Sequence, residues 1–200
     1  MHSMITAAIC ILSYLIGAIP FGLVIAKLMG GVDVRAVGSG NIGATNVLRA
    51  AGKKAAVLTL LADCAKGFAP VLASAALFKT PVLSVACGIM AVLGHNFPIF
   101  LKFKGGKGVA TSLGVMLALS PWIALACLFI WLGAAVIWKY SSLAALAAFT
   151  AYPVIVFIVR RDDSPLHFLS VVLFAMVYYR HRENIKRLLS GEEPKIGQKK

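Results

Sequence analysis

The sequence predicts an all-α integral membrane protein of seven transmembrane helices, with its N-terminus outside and its C-terminus in the cytoplasm. Three observations carry that expectation. Of the 200 residues, 60% are hydrophobic and only 14% charged, and the mean hydropathy is +0.88, well outside the range of soluble domains. The apolar residues gather into runs that approach or exceed the roughly 20 residues a helix needs to cross a bilayer. The 20 Lys and Arg, against 7 Asp and Glu, fall between those runs and mostly on one side, as the positive-inside bias of membrane proteins requires.

The first run, residues 4–28, has no Lys or Arg before it and carries Lys27 at its far end. It is too long for a cleaved signal peptide and is charged on the wrong flank. Runs at 55–78 and 81–101 follow. The stretch 109–138 is long for one span and short for two, but "LSPW" at 119–122 divides it, because Pro121 suits the first turn of a new helix and disfavours an interior position. That gives 109–119 and 121–138, followed by 143–159 and 165–179. Pro20, Pro98 and Pro153 are expected only to bend or end helices. With this count, sixteen of the 20 basic residues share one side, among them Arg49, Lys53, Lys104, Lys107, Arg180, Arg187, Lys199 and Lys200. Lys79, Arg160 and Arg161 fall opposite, and Lys66 lies inside a span. A single helix over 109–138 would place the basic tail outside, against the bias.

Without an internal repeat or a separate soluble domain, residues 1–200 read as a single membrane-embedded domain. The alanine-rich "LAALAAFTA" at 143–151 reads as close helix packing. Cys10, Cys64, Cys87 and Cys127 lie within apolar runs with no CxxC spacing, so they read as small hydrophobes, and no metal, disulfide or cofactor is expected. Asp63 and Lys66 stand three apart in the second span; intramembrane charges are functional suspects, and here they are expected to neutralise each other. The net charge of +13 would suggest nucleic acid in a soluble protein. Between membrane spans it points instead to anionic lipid or a phosphorylated substrate.

Three polar segments share the cytoplasmic side: "GSGNIGATNVLR" at 38–49, "GHNFPIFLKFKGGKG" at 94–108 and "RHRENIKRLLSGEE" at 180–193. A connection that merely joined helices would need only a few residues. In the first, Gly38, Gly40 and Gly43 allow tight turns and close backbone approach. Thr45 is expected to cap a short helix ending at Gly52, with free N–H groups facing an anion, and Arg49 shares its face. In the second, the glycines at 105, 106 and 108 and the following helix N-terminus form a second anion cradle beside Lys104 and Lys107. It is not a Walker A loop, since Gly108 follows Lys107 and no strand precedes it. In the third, His181 and Asn184 share a helix face, while Ile185, Leu188 and Leu189 keep the segment at the membrane surface.

These three segments, in this order between seven spans, resemble the bacterial acyl-phosphate:glycerol-3-phosphate acyltransferases, the PlsY family. The resemblance implies transfer of a fatty acyl group from acyl phosphate to the 1-hydroxyl of glycerol 3-phosphate, giving lysophosphatidic acid at the cytoplasmic face of the inner membrane. It implies catalytic roles for Ser39, Arg49, His181 and Asn184. It implies substrate binding by Gly40, Asn41, Gly43, Thr45 and Asn46 of the first motif and by Lys104, Gly105, Gly106, Lys107 and Gly108 of the second, where the phosphate of glycerol 3-phosphate would sit.

The chemistry fits the residues independently. Both substrates carry phosphate, so their repulsion must be offset by cations and oriented N–H groups. The donor is a reactive anhydride, so positioning can supply much of the catalysis, roughly 7–11 kcal/mol. An HxxxxD dyad is absent: Phe100, Val172 and Lys186 stand where the aspartate after His95, His167 and His181 would be. A donor phosphate oxygen, with a second pKa near 6 in comparable esters, can take the hydroxyl proton, which leaves His181 a positioning role. A transporter of a phosphorylated solute would bind near the midplane between repeats, whereas these motifs lie at one surface. A basic protein that only binds anionic lipid leaves the neutral Gly, Asn and Thr of the motifs unexplained.

Overall fold

A computed structural model describes residues 2–198; Lys199 and Lys200, two of the expected cytoplasmic cations, lie outside them. The described residues form helices α1 (His2–Ala18), α2 (Phe21–Gly30), α3 (Ala44–Phe78), α4 (Pro81–Asn96), α5 (Val109–Leu119), α6 (Pro121–Trp138), α7 (Ser141–Val159), α8 (Ser164–Arg180) and α9 (Arg182–Leu189), with single 3-10 turns at Val34–Ala36 and Ile99–Leu101 and no strand among them. Five stretches are long and apolar enough to cross a membrane: Ser3–Gly30, Ala44–Phe78, Pro81–Leu101, Pro121–Trp138 and Ser141–Val159. α5 is apolar but shorter, at 11 residues, about half the hydrocarbon thickness at 1.5 Å per residue. The division at 119–121 is where the sequence places it, with Pro121 opening α6.

One span differs in detail from the sequence reading. The first is divided at Ile19 and Pro20, because proline has no N–H to continue the ladder. Within Ala44–Phe78, Gly52, at φ 84°, inserts a break that separates a short helix from the longer apolar part after it. The expected cap at Thr45 is also corrected. Gly43 takes that position with extended φ and ψ, and the Thr45 hydroxyl instead lies 3.1 Å from that of Ser141.

The buried pair in α3 holds the divided first span in place. Lys66 Nζ is 2.7 Å from Asp63 Oδ1, and it donates to the Ile19 carbonyl at 2.8 Å, so the ammonium of one helix pins the bend of another. Breaking such a buried pair on one side only would cost about 3–5 kcal/mol.

Helix crossings depend on glycine. A Cβ on Gly67 of α3 would run into the Thr111 carbonyl of α5, and one on Gly114 of α5 into the Cys64 carbonyl of α3. Gly17 and Gly94 make the same close approach between α1 and α4. Such backbone proximity is how membrane helices gain dispersion energy where lipid offers no hydrophobic drive. Val71, Val92, Val115, Tyr152, Leu169 and Leu173 fill the core between α3, α4, α5, α7 and α8.

Gly67→Ala and Gly114→Ala are therefore expected each to destabilise the protein by about 1–3 kcal/mol through overpacking, seen as a lower Tm in detergent. Gly133→Ala, in α6 with nothing within 4 Å of the added carbon, should leave Tm unchanged or raise it. Equal Tm values for all three variants would contradict this packing.

Candidate active site

All three polar motifs meet in one cavity of about 470 Å3. Ser39, Asn41, Gly43, Thr45, Asn46 and Arg49 line it from the first motif, Lys107 and Gly108 from the second, and His181, Asn184 and Glu193 from the third. Most of the remaining wall is apolar, with Leu60, Leu113, Met116, Leu128, Trp131 and Phe149 contributed by α3, α5, α6 and α7, while Lys53, Asp63, His95, Ser141, Ser142 and Arg187 add polar groups.

The first motif is shaped from within. Asn46 is buried; its Nδ2 donates to the Val34 and Val37 carbonyls at 2.8 and 2.9 Å, and its Oδ1 accepts the Ser39 N–H at 3.0 Å. Asn41 Oδ1 accepts the Gly43 N–H at 2.9 Å. Two residues expected to bind substrate thus commit their side chains to folding the loop, which sets Ser39 at the cavity and turns the chain into α3. Gly38 has φ 59°, and a Cβ there would press on Asn46 Oδ1. Gly40 serves the same turn, its N–H donating to the Val37 carbonyl at 3.1 Å, and it does not line the cavity. The N–H groups of Ala44 and Thr45, at the start of α3, have no partner among the described residues.

The second motif is a strap. The Gly106 N–H donates to the His95 carbonyl at 3.0 Å, and a Cβ on Gly106 would collide with the His95 ring. The Gly105 and Gly106 carbonyls accept from Arg180 Nη2 and Nε at 2.8 and 2.9 Å. Gly105 and Gly106 therefore shape the strap and stand behind the cavity wall, while Lys107 and Gly108 face the cavity. Gly108, at φ 82°, caps α5. Lys104 is exposed and is not brought to the site; left-handed Lys102 and Phe103 turn its segment outward.

In the third motif, His181 is buried with Nδ1 2.8 Å from the Val177 carbonyl. With the ring proton donated there, Nε2 is left as an acceptor. Burial first, and the neighbouring Lys107 second, hold the imidazole pKa down at about 4. Asn184 Nδ2 and Ser142 Oγ donate to Glu193 Oε1 at 2.7 and 2.6 Å, and Arg187 Nε lies 2.8 Å from Oε2. Burial raises the Glu193 carboxyl, but these three hydrogen bonds more than offset it and keep the group below the ordinary carboxylate range.

Three lining cations are left over among the described residues, the exposed Lys53 and two that are half-buried. Glu193 is matched by Arg187, whereas Arg49 and Lys107, both half-buried, have no hydrogen bond or ion-pair partner among the described residues. Burial pushes the Lys107 ammonium down to about 8; Glu193 opposes the shift, while Arg187, Arg180 and Arg49 add to it. Such cations beside the free N–H groups of α3 and α5 make a site for anions.

Sequence reasoning missed Ser142, Glu193 and Arg180 as parts of this arrangement. Glu193 left a signal, one of two adjacent acids closing a basic segment, and Arg180 opens the same motif. Ser142 left none, being a hydroxyl at the head of an alanine-rich span.

A family model for glycerol-3-phosphate acyltransferase matches residues 7–191. The chain belongs to the glycerol-3-phosphate acyltransferase family. The glycerol-3-phosphate acyltransferase of Methylorubrum populi is 53% identical over 192 residues, covering 96% of this chain and 93% of that protein. That of Bordetella pertussis is 50% identical over 203 residues, covering 98% and 94%. The crystal structure of PlsY (YgiH), an integral membrane glycerol 3-phosphate acyltransferase, in its glycerol 3-phosphate form matches with TM-score 0.90 at 46% identity over 96% of each chain. Its lysophosphatidic acid form gives 0.88 over 96% of this chain and 95% of that one. With its apolar helices, this acyltransferase is a multi-pass membrane protein.

A lysine of lowered pKa is cationic below that pKa and neutral above it, so its attraction for an anion is present at neutral pH and lost as pH rises through about 8. Sulfate, whose own charge is constant, is expected to bind this acyltransferase about tenfold more weakly per pH unit through that titration, measured by calorimetry in detergent. The dependence should be absent in Lys107→Met; a pH-independent affinity in the unmodified protein would remove Lys107 from the anion site.

Proposed function

We propose that the chain transfers a fatty acyl group from acyl phosphate to the 1-hydroxyl of glycerol 3-phosphate, releasing lysophosphatidic acid and inorganic phosphate in phospholipid synthesis. The observation that carries this reading is the pair of half-buried cations, Arg49 and Lys107, without counterions among the described residues and bordering one cavity whose wall is otherwise largely apolar. Two phosphates and one acyl chain fit that division. PlsY is known in a glycerol 3-phosphate form and a lysophosphatidic acid form, the acceptor and the product of this reaction.

In this reading Lys107, Gly108 and the α5 N-terminus hold the phosphate of glycerol 3-phosphate, while Ser39, Arg49 and the α3 N-terminus hold that of the donor. The acyl chain lies along the apolar wall of α3, α5, α6 and α7. His181 Nε2 accepts a hydrogen bond from the 1-hydroxyl and Asn184 braces the third motif around it. The hydroxyl oxygen attacks the acyl carbonyl carbon and the bond to the phosphate oxygen breaks. Phosphate leaves with that electron pair, and one of its oxygens takes the hydroxyl proton. An effective general base has a pKa near the working pH; His181, at about 4, is too weak at neutral pH, which favours the donor phosphate as the acceptor of the proton.

The same proposal places the chain as one membrane-embedded domain with seven spans, α5 and α8 completing the five longer stretches. Its N-terminus is outside, and its C-terminus and active site face the cytoplasm at the bacterial inner membrane. The one-sided distribution of Lys and Arg supports this orientation.

Purified protein supplied with acyl phosphate and glycerol 3-phosphate should form lysophosphatidic acid, while acyl-CoA should give no comparable turnover. Folded protein without product would refute the reading, and equal use of acyl-CoA would refute the donor. In His181→Gln, the acidic limb of kcat against pH should persist near the donor phosphate's pKa of about 6, with activity reduced less than the roughly 100- to 10,000-fold attributed to a general base. Disappearance of that limb would make His181 the base.

A further inference from the structure

Arg180 is absent from the cavity wall, yet it is the contact that joins the third motif to the second. Its guanidinium lies 5.1 Å from the centroid of the Phe97 ring, and from that fixed plane it donates to two consecutive carbonyls, Gly105 at 2.8 Å and Gly106 at 2.9 Å. Each carbonyl belongs to a peptide unit whose N–H points the opposite way. The N–H paired with the Gly105 carbonyl is that of Gly106, which is taken by the His95 carbonyl at 3.0 Å. The N–H paired with the Gly106 carbonyl is that of Lys107. It points away from Arg180 and has no partner among the described residues.

The strap is therefore clamped on both sides. His95 packs so closely against Gly106 that no Cβ fits, and Arg180 fixes the rotation of the two peptide planes. Without the guanidinium, two glycines would be free to turn over, because glycine populates both signs of φ with similar ease. The Gly106 carbonyl could then face the cavity in place of the Lys107 N–H, putting a partial negative charge where an anion is to bind.

We propose that Arg180 is a positioning residue for glycerol 3-phosphate: by holding the Gly105 and Gly106 carbonyls in its fork, it keeps the Lys107 N–H and the α5 N-terminus turned toward the acceptor's phosphate. This rests on the assignment of the strap to glycerol 3-phosphate. The role needs a planar group with two donors in fixed geometry and a flat face to lie on the ring, which lysine lacks. Arg180→Lys should thus fail to rescue although it keeps the charge.

The test is steady-state kinetics of full-length Arg180→Lys, Arg180→Gln and Lys107→Met in detergent, with folding checked by Tm. Both Arg180 variants should raise KM for glycerol 3-phosphate by about tenfold while kcat changes by less than about threefold, since the lost interaction acts on binding before the transition state as well as in it. The KM for acyl phosphate should change little. A KM in Arg180→Lys within about twofold of the unmodified enzyme overturns the role of Arg180, because charge alone would then suffice. An unchanged KM in Lys107→Met overturns the assignment of the strap itself and the role of Arg180 with it. Should neither Arg180 variant fold, Phe97→Leu removes the ring face on which the guanidinium lies, together with the contact to the Tyr179 ring at 6.4 Å. A KM raised by a few-fold supports the clamp, and an unchanged KM overturns it.

Discussion

In the proposed reaction the 1-hydroxyl of one phosphate-bearing substrate has to reach the acyl carbon of the other, which brings two phosphates of like charge into one largely apolar cavity. At an effective dielectric of 20, two unit charges 4 Å apart repel by about 4 kcal/mol, and in the proposed complex the acyl chain displaces water that would screen them in solution. The protein answers with charge that is fixed before the substrates arrive. Among the described residues Arg49 and Lys107 have no counterion, and the α3 and α5 N-termini offer N–H groups without partners. Glu193, the third motif's carboxylate in the lining, is paired with Arg187, and Asp63, the other lining carboxylate, with Lys66.

Much of the remaining structure follows from keeping those cations unpaired and in place. Gly43 and Gly108 cap the two helices with backbone alone, so no capping side chain competes for the N–H groups. Asn46 and Asn41 fold the first loop from inside, and Arg180 with His95 clamps the strap. Further into the membrane-spanning part, Lys66 and Asp63 neutralise each other and tie α3 to the bend at Ile19. Lysine thus has two uses in the proposed enzyme: Lys66, with a carboxylate partner, is scaffold, and Lys107, without one among the described residues, holds substrate.

The sequence made the helices legible because apolar runs, Pro121 and the one-sided cations each have a single cheap explanation in a bilayer. It also made the convergence of three motifs legible, since they lie on one side. Individual roles inside a motif were less so. Thr45 and Gly43 are both competent caps, and only the Asx turn made by Asn41 decides for Gly43. Lys104 and Lys107 look equivalent in "KFKGGKG", but left-handed Lys102 and Phe103 turn one outward while the αL cap at Gly108 turns the other in. Glu193 and Ser142 find each other across 51 residues, a pairing that no local pattern announces.

The central claim is that Arg49 and Lys107 each hold one of two phosphates in the same cavity at the same time. A structure of the protein with glycerol 3-phosphate and a non-transferable acyl phosphonate tests it most directly. The glycerol 3-phosphate phosphate should lie within hydrogen-bond reach, about 2.7–3.2 Å, of Lys107 and the Gly108 end of α5. The phosphonate should lie beside Arg49 and Ser39, with its chain along Leu113, Met116 and Phe149. Two ligands that exclude one another, or a phosphate bound away from both cations, would contradict the claim.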